Sequence, residues 1–136
     1  MSGSLSDAEV AAAREAFEAL LNGDPEPWIA LLAEDTRWDI SAHPLPDVPD
    51  RGRGRAESAA VWRTYISGWN DYRAEVTEMA TAGCDLVFEV RETVRVGETD
   101  VPLERDLAYV WTFRDGRVTL LRIFRTAADA KRAIGL

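Results

Sequence analysis

Cysteine and histidine occur once each in the 136 residues of this chain. Cys84 alone excludes an internal disulfide, and one thiol with one imidazole is a poor soft-ligand set for zinc. Neither a metal nor a cofactor is therefore expected. Long apolar runs are missing too: no window approaches the roughly eighteen apolar residues of a membrane span. The opening MSGSLSDAEV carries neither a basic leader nor an apolar stretch, so a soluble, cytoplasmic protein without a membrane partner is the expectation. Positive charge is in short supply, with 16 Lys and Arg against 24 Asp and Glu and a formal net charge of −8. Such a surface repels a phosphate backbone, which argues against nucleic acid as a partner. The basic residues that exist cluster at 51–55 and along the later strands; RGRGR reads as a flexible, solvated loop or as a local basic patch.

What is present has the length and composition of one globular domain, residues 1–136, able to bury a core without staples. Ser6 with Glu9 three residues on is a capping-box signature, and Val10, Ala13, Phe17, Leu20 and Leu21 then recur at helical spacing. The spacing predicts a helix over 7–21, a break at Asn22-Gly23 and a second short helix over 25–33 that presents Trp28, Leu31 and Leu32. Residues 36–43 alternate like a strand, with Trp38, Ile40 and Ala42 on one face and Asp39, Ser41 and His43 on the other. Residues 55–70 put Val61, Trp62, Tyr65, Ile66 and Trp69 on one side of a third helix. Strands are expected over 72–81, 85–96, 101–113 and 117–125, with turns at Ala82-Gly83, Gly97–Asp100 and Asp115-Gly116, and Thr126 caps a last short helix. The fold class is α+β: helices against one side of a curved, antiparallel sheet.

Counting back from a Val96 to Val101 pairing across the Gly97–Asp100 turn sets Glu92 opposite Arg105, Val90 opposite Leu107, Phe88 opposite Tyr109 and Leu86 opposite Trp111. Arg91 then meets Asp106, and Val87 meets Val110, on the other face. The face with Phe88, Tyr109 and Trp111 carries the bulk and should meet the helices. The opposite face, with Val87, Ala108, Val110 and Thr112, is too apolar for open water, and a homodimer through the sheet would cover it. In the last hairpin a two-residue turn sets Arg122 opposite Tyr109, whereas a three-residue loop sets Leu121 there.

The stretches AFEALLNGDPEPWIALLAEDTRWD, RGRAESAAVWRTY and YVWTFRDGRVTLLRIF, in this order and spacing, resemble the superfamily of ketosteroid isomerase, nuclear transport factor two and the SnoaL-like polyketide cyclases. The similarity covers nearly the whole chain. It implies a cone: a curved sheet wrapped around the N-terminal helices in a cystatin-like α+β barrel, with a mostly apolar pocket, often in a dimer. Residue by residue, the resemblance sets Ile40 where an isomerase carries its general base, Ala16 or Phe17 where it carries an oxyanion-holding Tyr, and Tyr109 where it carries a neutral Asp. Only Tyr109 keeps a hydroxyl able to donate to a carbonyl or enolate. The acidic residue and His that such cyclases carry on late strands have no counterpart in RVTLLRIF. Steroid isomerisation and that cyclase chemistry are disfavoured, while the pocket itself is still implied.

The pocket residues expected on this basis are Trp38, Ile40, Tyr65, Trp69, Phe88, Val90, Glu92, Arg105, Leu107, Tyr109 and Trp111. Aromatic residues at helical or strand spacing are more often core than ligand cage, but in a cone part of the core is the pocket wall. Tyr109, Glu92 and His43 are the candidates for catalysis. Glu92 with Arg105 could bind a polar substrate group or simply bridge two strands. His43, beside Pro44 at a strand end, could be a base at the pocket rim or a solvated loop residue at its lip. Two functions remain open: an enzyme acting by proton transfer or water addition on a small apolar, oxygen-bearing molecule, and a non-catalytic module that holds a ligand or protein partner.

Overall fold

The computed structural model describes residues 4–44, 48–67, 70–95 and 102–136, with side chains at 65–67 and 70–72 outside the described residues. Helix α1 (Asp7–Leu21) starts where the capping box requires: Ser6 Oγ accepts from the Glu9 amide and Glu9 returns a carboxylate to the Ser6 amide, each at 3.1 Å. After α2 (Glu26–Leu31), the chain enters β1 (Leu32–Asp39), then the three-residue β2 (Arg51–Arg53) and α3 (Arg55–Ser67). The meander β3 (Asn70–Ala82), β4 (Asp85–Arg95), β5 (Pro102–Arg114) and β6 (Arg117–Phe124) follows, and α4 (Ala127–Ala133) closes the described chain. The six strands among the described residues form one curved, unclosed sheet in the order β2-β1-β6-β5-β4-β3.

The pairing of β4 with β5 sets Glu92 against Arg105, Arg91 against Asp106, Val90 against Leu107, Phe88 against Tyr109, Val87 against Val110 and Leu86 against Trp111, as the count from the turn predicts. The turn itself, with Val96 and Val101, lies outside the described residues. The concave face packs on α1 through one side chain above all. Phe17, 1% exposed, puts its ring 4.5 Å from Phe88, 5.1 Å from Tyr109 and 5.1 Å from Trp111, edge-on to the first two and stacked on the third.

Four expectations need correction. Helix α2 ends at Leu31 rather than residue 33, and β1 starts at Leu32, earlier than the alternation suggested, because Leu32 pairs with Val118 of β6. That pairing is parallel, so the sheet is mixed rather than wholly antiparallel. RGRGR is not a solvated loop over its whole length: Arg51–Arg53 forms an edge strand on β1, with Gly52 across from Trp38. Neither register foreseen for the last hairpin occurs. Asp115 and Gly116 make a two-residue turn with φ of 53° and 78°, but a bulge beside Thr112 and Phe113 adds one residue, so Ile123 stands opposite Tyr109. Leu121 pairs with Trp111, and Arg122 pairs with Val110 on the convex face.

The apolar convex face is covered from within. Val87, Ala108 and Val110 are fully buried against Ala130 of α4 and Ile134 at its C-terminal cap, and Lys131 reaches Glu89 of β4 at 3.6 Å. Burial of these three residues is thus achieved within the chain. If Phe17 is the contact that fixes α1 on the sheet, Phe17→Ala should lower unfolding free energy by about 3–5 kcal/mol in denaturant titration. A loss below about 1 kcal/mol, the range of ordinary surface changes, would show that the helix is held elsewhere.

Candidate functional site

Under α1, α2 and α3 the concave face is not filled. A cavity with about 70 Å³ open to water-sized molecules sits inside a cleft of about 580 Å³ counting its mouth. Phe17, Trp28, Trp62, Tyr109 and Trp111 give it aromatic walls, and Trp38, Ile40, Leu121 and Ile123 close the side made by β1 and β6. Its free interior is less than half the roughly 150 Å³ of an engineered cavity that takes benzene, so a ring system would fit only by reaching into the mouth of the cleft. Trp38 is held by an indole N–H donated to the Pro49 carbonyl at 3.0 Å and by lying over Gly52. Any Cβ at residue 52 would meet the indole ring, so glycine is required there.

Of the residues expected at the pocket, Trp38, Ile40, Tyr109 and Trp111 line this cavity. Phe88, Val90 and Leu107 are buried in the core behind it and do not line it. The side chain of Tyr65 and the whole of Trp69 lie outside the described residues. Glu92 and Arg105 occupy the same sheet face further along β4 and β5: Arg105 is two steps beyond Leu107, itself two beyond Tyr109. Glu92 is wholly buried, and Arg105 Nε donates to its Oε1 at 3.2 Å. Glu92 is thus the buried half of an ion pair with the partly exposed Arg105.

The strand expected over 36–43 ends early, and this changes the surroundings of His43. Strand β1 stops at Asp39, whose carboxylate takes the Ser41 amide at 3.0 Å and the Ser41 hydroxyl at 2.6 Å, and the His43 amide donates to the Ile40 carbonyl at 2.9 Å. This turn parts His43 from Asp39 and Ser41, whose face it would have shared in a continued strand. Asp39 instead pairs with Arg51 at 3.2 Å. Its carboxyl is held below the ordinary 3.8, first by the Ser41 hydroxyl, then by the Ser41 amide, with Arg51 adding to this against desolvation. The His43 imidazole comes instead under the charges of Arg105, Arg125 and Glu92, and its Nε2 is buried with no hydrogen-bond partner among the described residues. Burial lowers its pKa from 6.5; Arg105 and Arg125 lower it further, and Glu92 opposes them. The ring is neutral at neutral pH. Among the described residues no group of three His, Cys, Asp or Glu could hold a metal ion, and no helix is long and apolar enough to cross a membrane.

These charges give signs that can be checked. Because His43 is the only histidine, its imidazole carbon signals in a pH titration belong to it alone. The midpoint should lie below 6.5; Arg125→Gln should raise it and Glu92→Gln should lower it. A folded value below the unfolded one means that the unfolded chain binds the proton more readily. This group therefore favours the fold above about 6.5, and its contribution is lost as pH falls through the lowered folded value. A midpoint at or above 6.5, or shifts of opposite sign in the two variants, would contradict this placement.

A family model described as SnoaL-like domain matches residues 13–121. No curated protein sequence matches the chain. Among solved structures, an NTF2-like protein from Burkholderia pseudomallei superposes with a TM-score of 0.74 at 22% identity, covering 96% of this chain and 100% of that one. An LEH-like epoxide hydrolase of M. tuberculosis gives 0.65 at 20% identity, over 93% of this chain and 88% of that one. TerC, co-crystallised with polyporic acid, gives 0.74 at 16% identity, over 94% and 98%. At such identities the likeness is one of fold. The family model spans most of the chain, and the mixed, curved sheet around α1 is the fold of these structures: this chain belongs to the SnoaL-like domain family.

Proposed function

We propose that this protein binds a small, mostly apolar molecule bearing an oxygen atom and acts on it by proton transfer, with Tyr109 as hydrogen-bond donor and His43 as base. The observation that carries the reading is the cavity itself: aromatic walls, a cleft of about 580 Å³ counting its mouth, and the buried hydroxyl of Tyr109 on its wall. His43 supports the chemical half. Although His43 is not among the residues that line the cavity, it stands three residues past Ile40, which is, and its neutral imidazole has a nitrogen without a partner among the described residues that can take a proton. Glu92 is not the base in this reading, because its carboxylate already accepts from Arg105 at 3.2 Å, and both members of that pair act on His43 electrostatically. That an epoxide hydrolase and a protein co-crystallised with polyporic acid share this fold is consistent with a small-molecule role.

A second reading, non-catalytic ligand binding, is favoured by one observation. The apolar Ile40 lines the cavity where the resemblance to isomerases would place a general base. Titrating the protein with a panel of small ketones, epoxides and aryl alcohols while recording indole N–H resonances separates the possibilities. Binding should perturb tryptophans of the wall and be lost in Ile123→Trp, which fills the cavity. If no compound does so, the pocket reading is wrong. An enzyme should in addition lose turnover in His43→Gln and Tyr109→Phe, with the rate falling at acid pH as His43 gains its proton. Binding without turnover at any pH would favour the second reading.

A further inference from the structure

Two polar side chains on the cavity wall have no part in the account so far. Ser58 of α3 and Trp28 of α2 are each 4% exposed, and both line the cavity. Neither Ser58 Oγ nor Trp28 Nε1 has a hydrogen-bond partner among the described residues. Buried polar atoms in folded proteins nearly always have one. The helix does offer an internal solution, because Thr64, further along α3, turns its hydroxyl back onto the Ala60 carbonyl at 3.0 Å. Ser58 does not take it. It stands three and four residues before Val61 and Trp62, which line the same cavity, so the helical period aims all three the same way. Trp62 in turn lies 6.2 Å, ring to ring, from Trp28, which ties the two helices at this end.

The chemistry of the pair restricts what it can meet. An indole N–H only donates, while a hydroxyl donates or accepts; an atom that meets both is an acceptor. A carboxylate would fit this geometry but not the electrostatics. Arg122 is the charged residue on the wall, and its guanidinium is turned to Asp85 at 3.7 Å and to the Thr112 hydroxyl at 3.5 Å. Asp85 and Thr112 belong to the convex face, and Asp85 balances the charge there, while Arg122 Nε, on a residue that lines the cavity, is buried with no hydrogen-bond partner among the described residues. Burying an anion there without a counter-charge is strongly unfavourable. An uncharged oxygen has no such cost.

We infer that Ser58 and Trp28 form a neutral hydrogen-bonding subsite at the α2 and α3 end of the cavity, selecting ligands with an uncharged oxygen: a ketone, an alcohol or an ether. The inference rests on the reading of the cavity as a small-molecule site and specifies what that site recognises. Three bicyclic probes of nearly equal size test it: indane, 1-indanone and indane-1-carboxylate, titrated by NMR or calorimetry. The protein should bind 1-indanone roughly 2- to 10-fold more tightly than indane, the range of one net hydrogen bond, and bind the carboxylate least. In Ser58→Ala, and in Trp28→Phe if it folds, that preference should shrink while indane still binds, which shows that the cavity is intact. Equal affinity for indane and 1-indanone, an undiminished preference in Ser58→Ala, or tightest binding of the carboxylate would overturn the subsite and leave the pocket standing. Failure of all three probes to bind would defeat the pocket reading, and the subsite with it.

Discussion

The structure depends on where one phenylalanine points. Phe17 touches Phe88, Tyr109 and Trp111 at once, so it fixes both the height of α1 over the sheet and its rotation about its own axis. The capping box at Ser6 and Glu9 sets the phase of that helix, and eleven residues after Ser6 the phase delivers Phe17 to the concave face. An aromatic ring packed edge-on and stacked resists sliding in two directions. The cavity follows from this constraint. With α1 seated on β4 and β5, the shorter α2 and the start of α3 must span the remaining concave surface over β1 and β6, and their tryptophans leave an unfilled space between them.

Local signals were the legible ones. The capping box marks the start of α1, and its end at Leu21 follows from the break at Asn22 and Gly23. The register of β4 on β5 needs only a turn position and the period of two, and each pair counted from it recurs in the structure. What could not be read depends on partners far away in sequence. Strand β1 begins at Leu32 because β6 lies beside it, and no periodicity near Leu32 announces a partner more than eighty residues on. The extra residue in β6 is a packing decision that puts Ile123 on the cavity wall and leaves Arg122 to Asp85. A three-residue edge strand carries no pattern to recognise, and Gly52 gains meaning only once Trp38 is seen lying on it.

The site divides along the same line. Tyr109, Trp111 and Trp38 were identifiable as large residues on the side of the strand that faces the helices, and Ile40 shares that face. The environment of His43 was not, because the cations that lower its pKa stand on β5 and just past β6 and meet it only through the turn at Ser41. Ser58 and Trp28 were passed over as polar atoms. The available signal for Ser58 was a hydroxyl on the apolar face of α3, in phase with Val61 and Trp62, where an alanine would have packed without needing a partner. Locally consistent residues built the fold, and residues that break local rules gather at the cavity.

The polar elements near the cavity differ in kind. Glu92 and Arg105 form an ion pair with each other, while His43 is neutral at neutral pH and Tyr109 and Ser58 offer hydroxyls, as suits a ligand that brings no charge of its own. The claim beneath all of this is that the cavity is a binding site and not slack in the packing. A crystal structure of the protein grown with saturating 1-indanone tests it most directly. The account predicts one ring system between Phe17, Trp62 and Tyr109 with the surrounding side chains unmoved. A cavity closed by repacked tryptophans, with the compound absent or lying on the outer surface, would contradict it.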